Sequence, residues 1–170
     1  MKIVFFILSF FTTIKKFTLR FFRIFFDRIL LIFIDLFDRY YVILYMFSFI
    51  TLGTNDLKKS KAFYDELLKS INIINVENED GWFSAYAKKT SLNKIEFYLM
   101  RPHNKKEATF GNGTMITFSV DSKKGVDSFY HLALKLGAVD EGKPGPRHDE
   151  HYYAYFRDLD GNKICAFCSD

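Results

Sequence analysis

The chain has 170 residues, with 24 Lys and Arg against 20 Asp and Glu, which suits one domain with an extension. The positive charge lies in residues 1–45, which hold 7 basic and 3 acidic residues, whereas residues 46–170 hold 17 of each. A neutral second part argues against nucleic-acid binding, because phosphate neutralisation needs clustered Lys and Arg. The two cysteines, Cys165 and Cys168, exclude a disulfide-scaffolded secreted miniprotein.

Residues 1–45 form an apolar, Phe-rich leader that contains 11 of the 21 Phe and no Ala, Gly, Pro or Glu. Its longest uncharged stretch, Ile3–Ile14, is shorter than the roughly 18 residues of a membrane span, and it lacks the small residues of a signal cleavage site. Charged residues at helical spacing between positions 16 and 27 are typical of a helix on a membrane surface. Two interpretations stay open: membrane association through the leader, or a leader upstream of a true start at Met46 in a cytoplasmic protein.

Residues 46–170 contain an internal repeat. At an offset of 66, Ile50-Thr51 matches Ile116-Thr117, and Phe63-Tyr64 matches Phe129-Tyr130. At an offset of 69, Ala85-Tyr86 matches Ala154-Tyr155, and Asn93-Lys94-Ile95 matches Asn162-Lys163-Ile164. A duplication of this length predicts two tandem structural modules in one domain.

Each copy is predicted to contain a strand, a helix and three further strands. In the first copy the strands are expected at 46–53, 71–76, 82–87 and 94–101, with the helix capped by Asn55 or Asp56. In the second copy they are expected at 114–120, 138–143, 152–158 and 163–167, with Asp121 or Ser122 as the cap. Asp160-Gly161 predicts the last turn.

The predicted fold class is therefore α+β, with two tandem βαβββ modules forming a curved mixed sheet around a cleft, preceded by an apolar helical leader. Because strand side chains alternate, Ile50 and Leu52 should lie beneath the helix, and Phe49 and Thr51 should face the cleft. The repeat extends this prediction to Met115. A small-molecule ligand is expected in the cleft.

Five segments on this duplicated scaffold carry a resemblance to a known family. They are LGTNDL (52–57), SKAFY (60–64), GNGT (111–114), PGPR (144–147) and RDLDGNKI (157–164). In this order they resemble the vicinal oxygen chelate superfamily, which includes glyoxalase I, bleomycin and fosfomycin resistance proteins and extradiol dioxygenases. The resemblance covers residues 46–170 and implies the fold more firmly than any one reaction, because the superfamily hosts several reactions and some pure binders.

The resemblance also implies four positions for a divalent metal, one on the first and one on the last strand of each module. In this sequence they are occupied by Phe49, Glu96, Met115 and Cys165. Only Glu96 offers a hard oxygen ligand, and one carboxylate with one thiol falls short of the usual sets for zinc or iron. We therefore expect no metal cofactor, with Glu96 as a candidate catalytic base or ligand contact and the other three as ligand-binding positions.

Further polar and aromatic residues are candidates for the rim of the cleft. They are Thr51, Arg101, Asn112, Arg147, His151 and Tyr153. Arg at a strand end can hold an anionic ligand through paired hydrogen bonds, although for Arg101 a salt bridge between modules is an equal alternative. Surface polarity alone also explains His151. Lys58-Lys59 and Lys105-Lys106 are interpreted as solvated surface.

Three functions stay open on the sequence. The first is a metal-independent small-molecule binding protein with an aromatic cleft lined by Met. The second is a divalent-metal lyase or dioxygenase that uses Glu96, Cys165 and a loop histidine. The third is an accessory protein tethered to a membrane by residues 1–45. The assembly state is also open, with a homodimer as one alternative.

Overall fold

The computed structural model describes residues 47–169. The predicted leader, 1–45, and the proposed start at Met46 lie outside the described residues, so both stay predictions. Within the described part, no helix is long and apolar enough to cross a membrane.

The first module follows the predicted order. It consists of β1 (Ile50–Gly53), α1 (Leu57–Lys69), β2 (Ile73–Glu79), β3 (Phe83–Lys88) and β4 (Ile95–Met100). Of the two predicted caps, Asp56 is the one that begins α1, because its carboxylate accepts the backbone N–H of Lys59 at 3.0 Å. The predicted i, i+4 stripe is confirmed, since Phe63 and Leu67 are buried against the sheet.

The second module repeats this order. It consists of β5 (Ile116–Ser119), α2 (Lys123–Lys135), β6 (Val139–Pro146), β7 (Tyr152–Arg157) and β8 (Lys163–Cys168). Here Ser122 is the cap, and its hydroxyl accepts the N–H of Gly125 at 3.1 Å. Val126, Phe129 and Ala133 form the buried stripe of α2. The α+β class and the two βαβββ modules are confirmed.

The strands form two separate four-stranded mixed sheets, in the orders β1-β4-β3-β2 and β5-β8-β7-β6. In each sheet the first and last strands of a module are parallel neighbours, and the other pairs are antiparallel. Each sheet has one face beneath its helix, which we call the helix side, and one face away from the helix, which we call the open side. The strands predicted to form one curved sheet thus form two sheets, one in each module.

The helix sides of both sheets share one hydrophobic core. A chain of aromatic rings runs through it, from Phe97 of β4 to Phe118 of β5 at 5.7 Å between centroids, then to Phe129 of α2 and Phe156 of β7 at 6.1 Å each. Because the core uses both helix sides, the open sides are left for other contacts.

The β7–β8 turn joins the modules by hydrogen bonds. The predicted turn is confirmed, with Gly161 at φ +85. The hydroxyl of Tyr64, on α1, donates to Asp158 Oδ2 at 2.7 Å, and the hydroxyl of Ser60 donates to Asp160 Oδ2 at 2.8 Å. Asp158 is 4% exposed, and burial raises the pKa of its carboxyl, although its hydrogen bonds oppose this shift.

A β-bulge in β4 breaks the symmetry of the duplication. Tyr86 pairs with Phe97 and Ala87 pairs with Ile95, so Glu96 is an additional residue in β4. Tyr86 lies on the helix side, where its hydroxyl donates to Asp65 of α1 at 3.0 Å. Its sequence match Tyr155 lies on the open side of the other sheet.

Candidate functional site

The open side of the first module carries three aromatic side chains in contact, and Trp82, in the turn directly before β3, extends this line at its end. We call the four residues the aromatic row: Phe49, Tyr98, Phe83 and Trp82. Successive ring centroids are 5.2, 5.9 and 5.7 Å apart, all in edge-to-face arrangements. Alternation places Tyr98 and Phe83 opposite the core residues Phe97 and Tyr86. With Phe49 56% and Trp82 41% exposed, the row offers ring surface on which a planar ligand can stack.

The open side of the second module is also aromatic but carries more charge. The rings of Tyr153 and Tyr155 are nearly parallel, with centroids 6.1 Å apart. The guanidinium of Arg147 lies 5.1 Å from the Tyr155 centroid, and the ammonium of Lys163 lies 5.3 Å from it. Gly142 makes room for this arrangement, because a Cβ there would lie 2.8 Å from Tyr155 Cδ2.

The structure places the four metal positions of the resemblance on two different sheets. The register of the first sheet begins with the pair Ile50 and Phe97, and Glu96, the residue before Phe97, lines a small cavity together with the core residues Tyr86 and Phe97. In the second module the register pairs Thr117 with Cys165, and Met115, directly before β5, is 44% exposed. At an offset of 69 the sequence repeat matches Glu96 to Cys165, but this match is wrong, because Thr51 pairs with Tyr98 and its counterpart Thr117 pairs with Cys165.

These residues do not fit a divalent metal. The carboxylate of Glu96 pairs with the ammonium of Lys94 at 3.0 Å. Cys165 is fully buried, and burial raises the pKa of its thiol, which disfavours the thiolate that a metal would need. Within residues 47–169, no group of three or more His, Cys, Asp or Glu is placed to hold a metal ion.

Burial also predicts the reactivity of both thiols. Cys165 is 0% exposed and Cys168 is 4% exposed, the latter within the hydrophobic core. We expect native protein at pH 8 to react with 5,5′-dithiobis(2-nitrobenzoate) far more slowly than protein in guanidinium chloride, where both thiols should be titrated within minutes. Rapid titration of one thiol in the native protein would show that the open side exposes Cys165.

The loop residues predicted at the rim have varied surroundings. His151 lies edge-on to Phe167 at 5.3 Å, and its Nδ1 is 2.9 Å from the carbonyl oxygen of Ser169. The hydroxyl of Tyr153 donates to Asp149 at 2.7 Å, and this hydrogen bond raises the pKa of Tyr153 to about 12. Arg147 donates to three backbone carbonyls, of Lys143, Gly145 and Pro146.

The remaining predicted site residues belong to the first module and to the segment that joins the modules. Thr51 is exposed on β1, and the register pairs it with Tyr98 of the aromatic row. Asn112 is exposed in the segment between β4 and β5. Arg101 follows β4, and its backbone N–H donates to the carbonyl of Trp82 at 2.9 Å.

Arg101 also lines a cavity of about 700 Å³ at the Trp82 end of the aromatic row. The lining residues are Thr54, Asn55, Gly81, Trp82, Arg101, Pro102, His103, Lys105, Lys106 and Glu107. The sequence predicted solvated surface for Lys105-Lys106 and indicated no role for His103. Two signals for the cavity were present in the sequence. Arg101, Lys105 and Lys106 lie close together just after a predicted strand, and Trp82, the only tryptophan, begins another.

Two mixed sheets, a helix on each, and aromatic open sides define a protein of the glyoxalase type. The family model for the Glyoxalase/Bleomycin resistance protein/Dioxygenase superfamily matches residues 47–166, and the chain belongs to this family. None of the curated proteins matches the chain.

Several solved structures are similar to this fold. A glyoxalase/bleomycin resistance protein from Albidiferax ferrireducens T118 is 36% identical, with a TM-score of 0.67 over 74% of this chain and 100% of that one. The fold is also similar to a lactoylglutathione lyase from Agrobacterium tumefaciens, at 18% identity and a TM-score of 0.54 over 72% and 92% of the chains. A fosfomycin resistance protein from Listeria monocytogenes is 20% identical, with a TM-score of 0.55 over 75% and 95%.

Proposed function

We propose that this protein is a metal-independent binding protein for a small planar organic molecule that stacks on the aromatic row. The observation that carries the proposal is the row itself, with four rings in contact and both end rings substantially exposed. Aromatic rings give a large contact area with little conformational freedom to lose, so a planar ligand gains both apolar burial and ring stacking.

The side chains around Phe49 support a binding role rather than metal chemistry. Phe49 occupies a position where the resemblance places a metal ligand, and a phenyl ring cannot coordinate a metal. The side chain of Glu96, in β4, is about one-third exposed, so its carboxylate can accept a hydrogen bond from a donor on the ligand in addition to its ion pair with Lys94. In this proposal Glu96 orients the ligand.

The open side of the second module is a second surface with ligand-binding chemistry. Tyr155 is flanked by Arg147 and Lys163, so this side suits a ligand or a protein surface with negative charge. A homodimer stays a proposal, supported by the exposure of Phe49 and Met115, which a second copy would bury.

The function is tested with 4-fluorobenzyl alcohol, a neutral planar probe whose binding to the full chain is measured by fluorine NMR line broadening. Phe49→Ala should raise its dissociation constant roughly tenfold, because about 50 Å² of lost apolar contact costs about 25 cal/mol per Å². Added Zn²⁺ or Ni²⁺ should leave the constant unchanged.

Leu92→Ala is the matched control, because Leu92 has similar exposure, 53%, and no part in the row. It should bind the probe as the parent protein does. If Phe49→Ala and Leu92→Ala give the same constant, the probe does not bind to the aromatic row. If affinity appears only with metal, the metal-independent proposal is wrong.

A further inference from the structure

The cavity beside Trp82 has an unusual concentration of positive charge. Three permanent cations line it, Arg101, Lys105 and Lys106, against one lining carboxylate, Glu107. Within residues 47–169, none of the three cations forms an ion pair. The three cations are exposed, and several like charges around one concave surface raise the local concentration of anions from solution.

The wall of the cavity is held in place by hydrogen bonds that need no ligand. Asn55 clamps the segment after β4, since its side-chain Oδ1 accepts the N–H of Ala108 at 2.8 Å and its Nδ2 donates to the Ala108 carbonyl at 3.0 Å. A tight turn places Lys105, whose N–H donates to the Pro102 carbonyl at 2.9 Å. A prearranged site loses less conformational entropy when it binds.

Close packing at Gly53 supports the same wall. A Cβ on Gly53 would lie 3.1 Å from Ala108 Cβ, so the absence of a side chain lets the segment lie directly against the end of β1. The backbone N–H of Asn55 also donates to Asp160 at 2.8 Å, which ties this wall to the second module. The positions of Lys105 and Lys106 therefore depend on the packing of both modules.

Trp82 gives the cavity an aromatic side. Its ring lies edge-on to Phe83 at 5.7 Å, so the aromatic row continues into the cavity. Arg101 lies on the neighbouring strand end, and its N–H donates to the Trp82 carbonyl at 2.9 Å. A ring surface and a guanidinium, which can form two parallel hydrogen bonds to an oxyanion, are thus adjacent.

We propose that this cavity binds the oxyanion of a planar organic acid, either a carboxylate or a phosphate ester, with the ring of the acid against Trp82. The cations indicate that the ligand is negatively charged, and the aromatic row indicates that part of the ligand is planar. That the ligand is an anion is inferred independently of the proposed function. That it has a planar ring rests on the proposed function.

The first experiment measures the local charge with Trp82, the only tryptophan and therefore a site-specific reporter. Its fluorescence in the full chain is quenched with iodide, an anion, and with neutral acrylamide. The triple variant Arg101→Gln, Lys105→Gln, Lys106→Gln should lower the iodide quenching constant roughly twofold at about 0.1 M salt and leave the acrylamide constant nearly unchanged. Glu107→Gln should raise iodide quenching.

A control triple variant removes the same charge from the surface of α2: Lys123→Gln, Lys124→Gln, Lys135→Gln. It should change iodide quenching little, because exposed charges beyond about 10 Å are screened at 0.1 M salt. If both triple variants lower iodide quenching equally, net charge is responsible, and the cavity proposal is wrong. Circular dichroism checks that each variant is folded, and Arg101→Gln alone gives a smaller shift of the same sign.

The second experiment compares three fluorinated probes of similar size by fluorine NMR: 4-fluorobenzyl alcohol, 4-fluorobenzoate and 4-fluorophenyl phosphate. At least one of the two anions should bind about tenfold more tightly than the alcohol, and the preferred anion distinguishes carboxylate from phosphate. The advantage should disappear in the cavity triple variant and persist in the α2 triple variant.

The outcomes separate the two proposals. If the alcohol binds in a Phe49-dependent way but neither anion binds more tightly, the oxyanion site is wrong and the proposed function stands. If the alcohol does not bind while an anion binds in a way that depends on the cavity cations, the aromatic binding function is wrong and the oxyanion site stands. If no probe binds, both proposals are wrong, whatever the iodide quenching. An anion advantage that persists in the cavity triple variant would place the anion elsewhere.

Discussion

Phe97→Ala should lower the free energy of unfolding by about 3–5 kcal/mol, the usual range for removal of a buried phenyl ring. Phe97 is 3% exposed and contacts the rings of Tyr64, Tyr86 and Phe118 at 5.2, 5.5 and 5.7 Å. The contact with Phe118 crosses between the modules, so the substitution opens a cavity where they share a core.

Guanidinium chloride denaturation of the full chain measures this loss as a lower midpoint. Phe47→Ala is the matched control, because Phe47 is 70% exposed and should change the midpoint very little. A change in the slope of the transition together with the midpoint would show that the modules no longer unfold as one unit. Equal effects of the two substitutions would contradict the placement of Phe97 in the core.

Asp158→Ala should have an effect of similar size, about 3–5 kcal/mol. The carboxylate accepts hydrogen bonds from the Tyr64 hydroxyl, at 2.7 Å, and from the backbone N–H groups of Asp160 and Asn162, at 2.9 and 2.8 Å. Its removal leaves these donors without their acceptor in a buried setting, and each buried unpaired donor costs about 1–3 kcal/mol. A double-mutant cycle with Tyr64→Phe should be non-additive, because the two residues share a hydrogen bond.

The chain supplies an exposed counterpart of this pair. Asp149 accepts the hydroxyl of Tyr153 at 2.7 Å, as Asp158 accepts that of Tyr64, but it lies on the surface. Asp149→Ala should therefore leave the melting temperature nearly unchanged. If Asp149→Ala and Asp158→Ala destabilise the protein equally, burial is not the reason why the hydrogen bonds of Asp158 stabilise the protein.

The pH dependence of stability gives a check on Asp158. Burial raises the folded-state pKa of Asp158 above the unfolded value of about 3.9, and this pKa difference adds stability that is fully present below that value. This added stability is lost as the pH rises through the folded-state pKa, while the hydrogen bonds of Asp158 are a separate contribution. The parent protein should show this decrease, and Asp158→Ala should lack it.

The sequence was sufficient for the modules because their signals are local. Helix caps, i, i+4 apolar stripes and the Asp160-Gly161 turn depend on neighbours along the chain, and the structure confirms them. The β4 bulge was not predictable, because an extra residue such as Glu96 leaves no mark on a pattern that is read by alternation. The repeat also paired Glu96 with Cys165, whereas the registers give Tyr98 as the counterpart of Cys165.

The candidate site was predicted only in part for a related reason. The sequence singled out Phe49 as a cleft residue, and the structure places it in a row of rings whose contacts cross three strands. Lys105 and Lys106 were predicted to be solvated surface. They line the cavity because Asn55 holds the segment between β4 and β5 beside Trp82. Contacts between residues distant in the chain cannot be read from spacing.

The registers of β3 and β7 have a consequence for how two copies of one gene segment can diverge. Both copies keep the same Ala-Tyr dipeptide, but Tyr86 pairs with the core residue Phe97 and anchors a helix, whereas Tyr155 pairs with Cys165 and lies beside two cations. Side chains alternate along a strand, so a register shift of one residue moves each of them to the other face. A duplicated module can thus turn a structural tyrosine into an open-side tyrosine without any amino-acid replacement at that position.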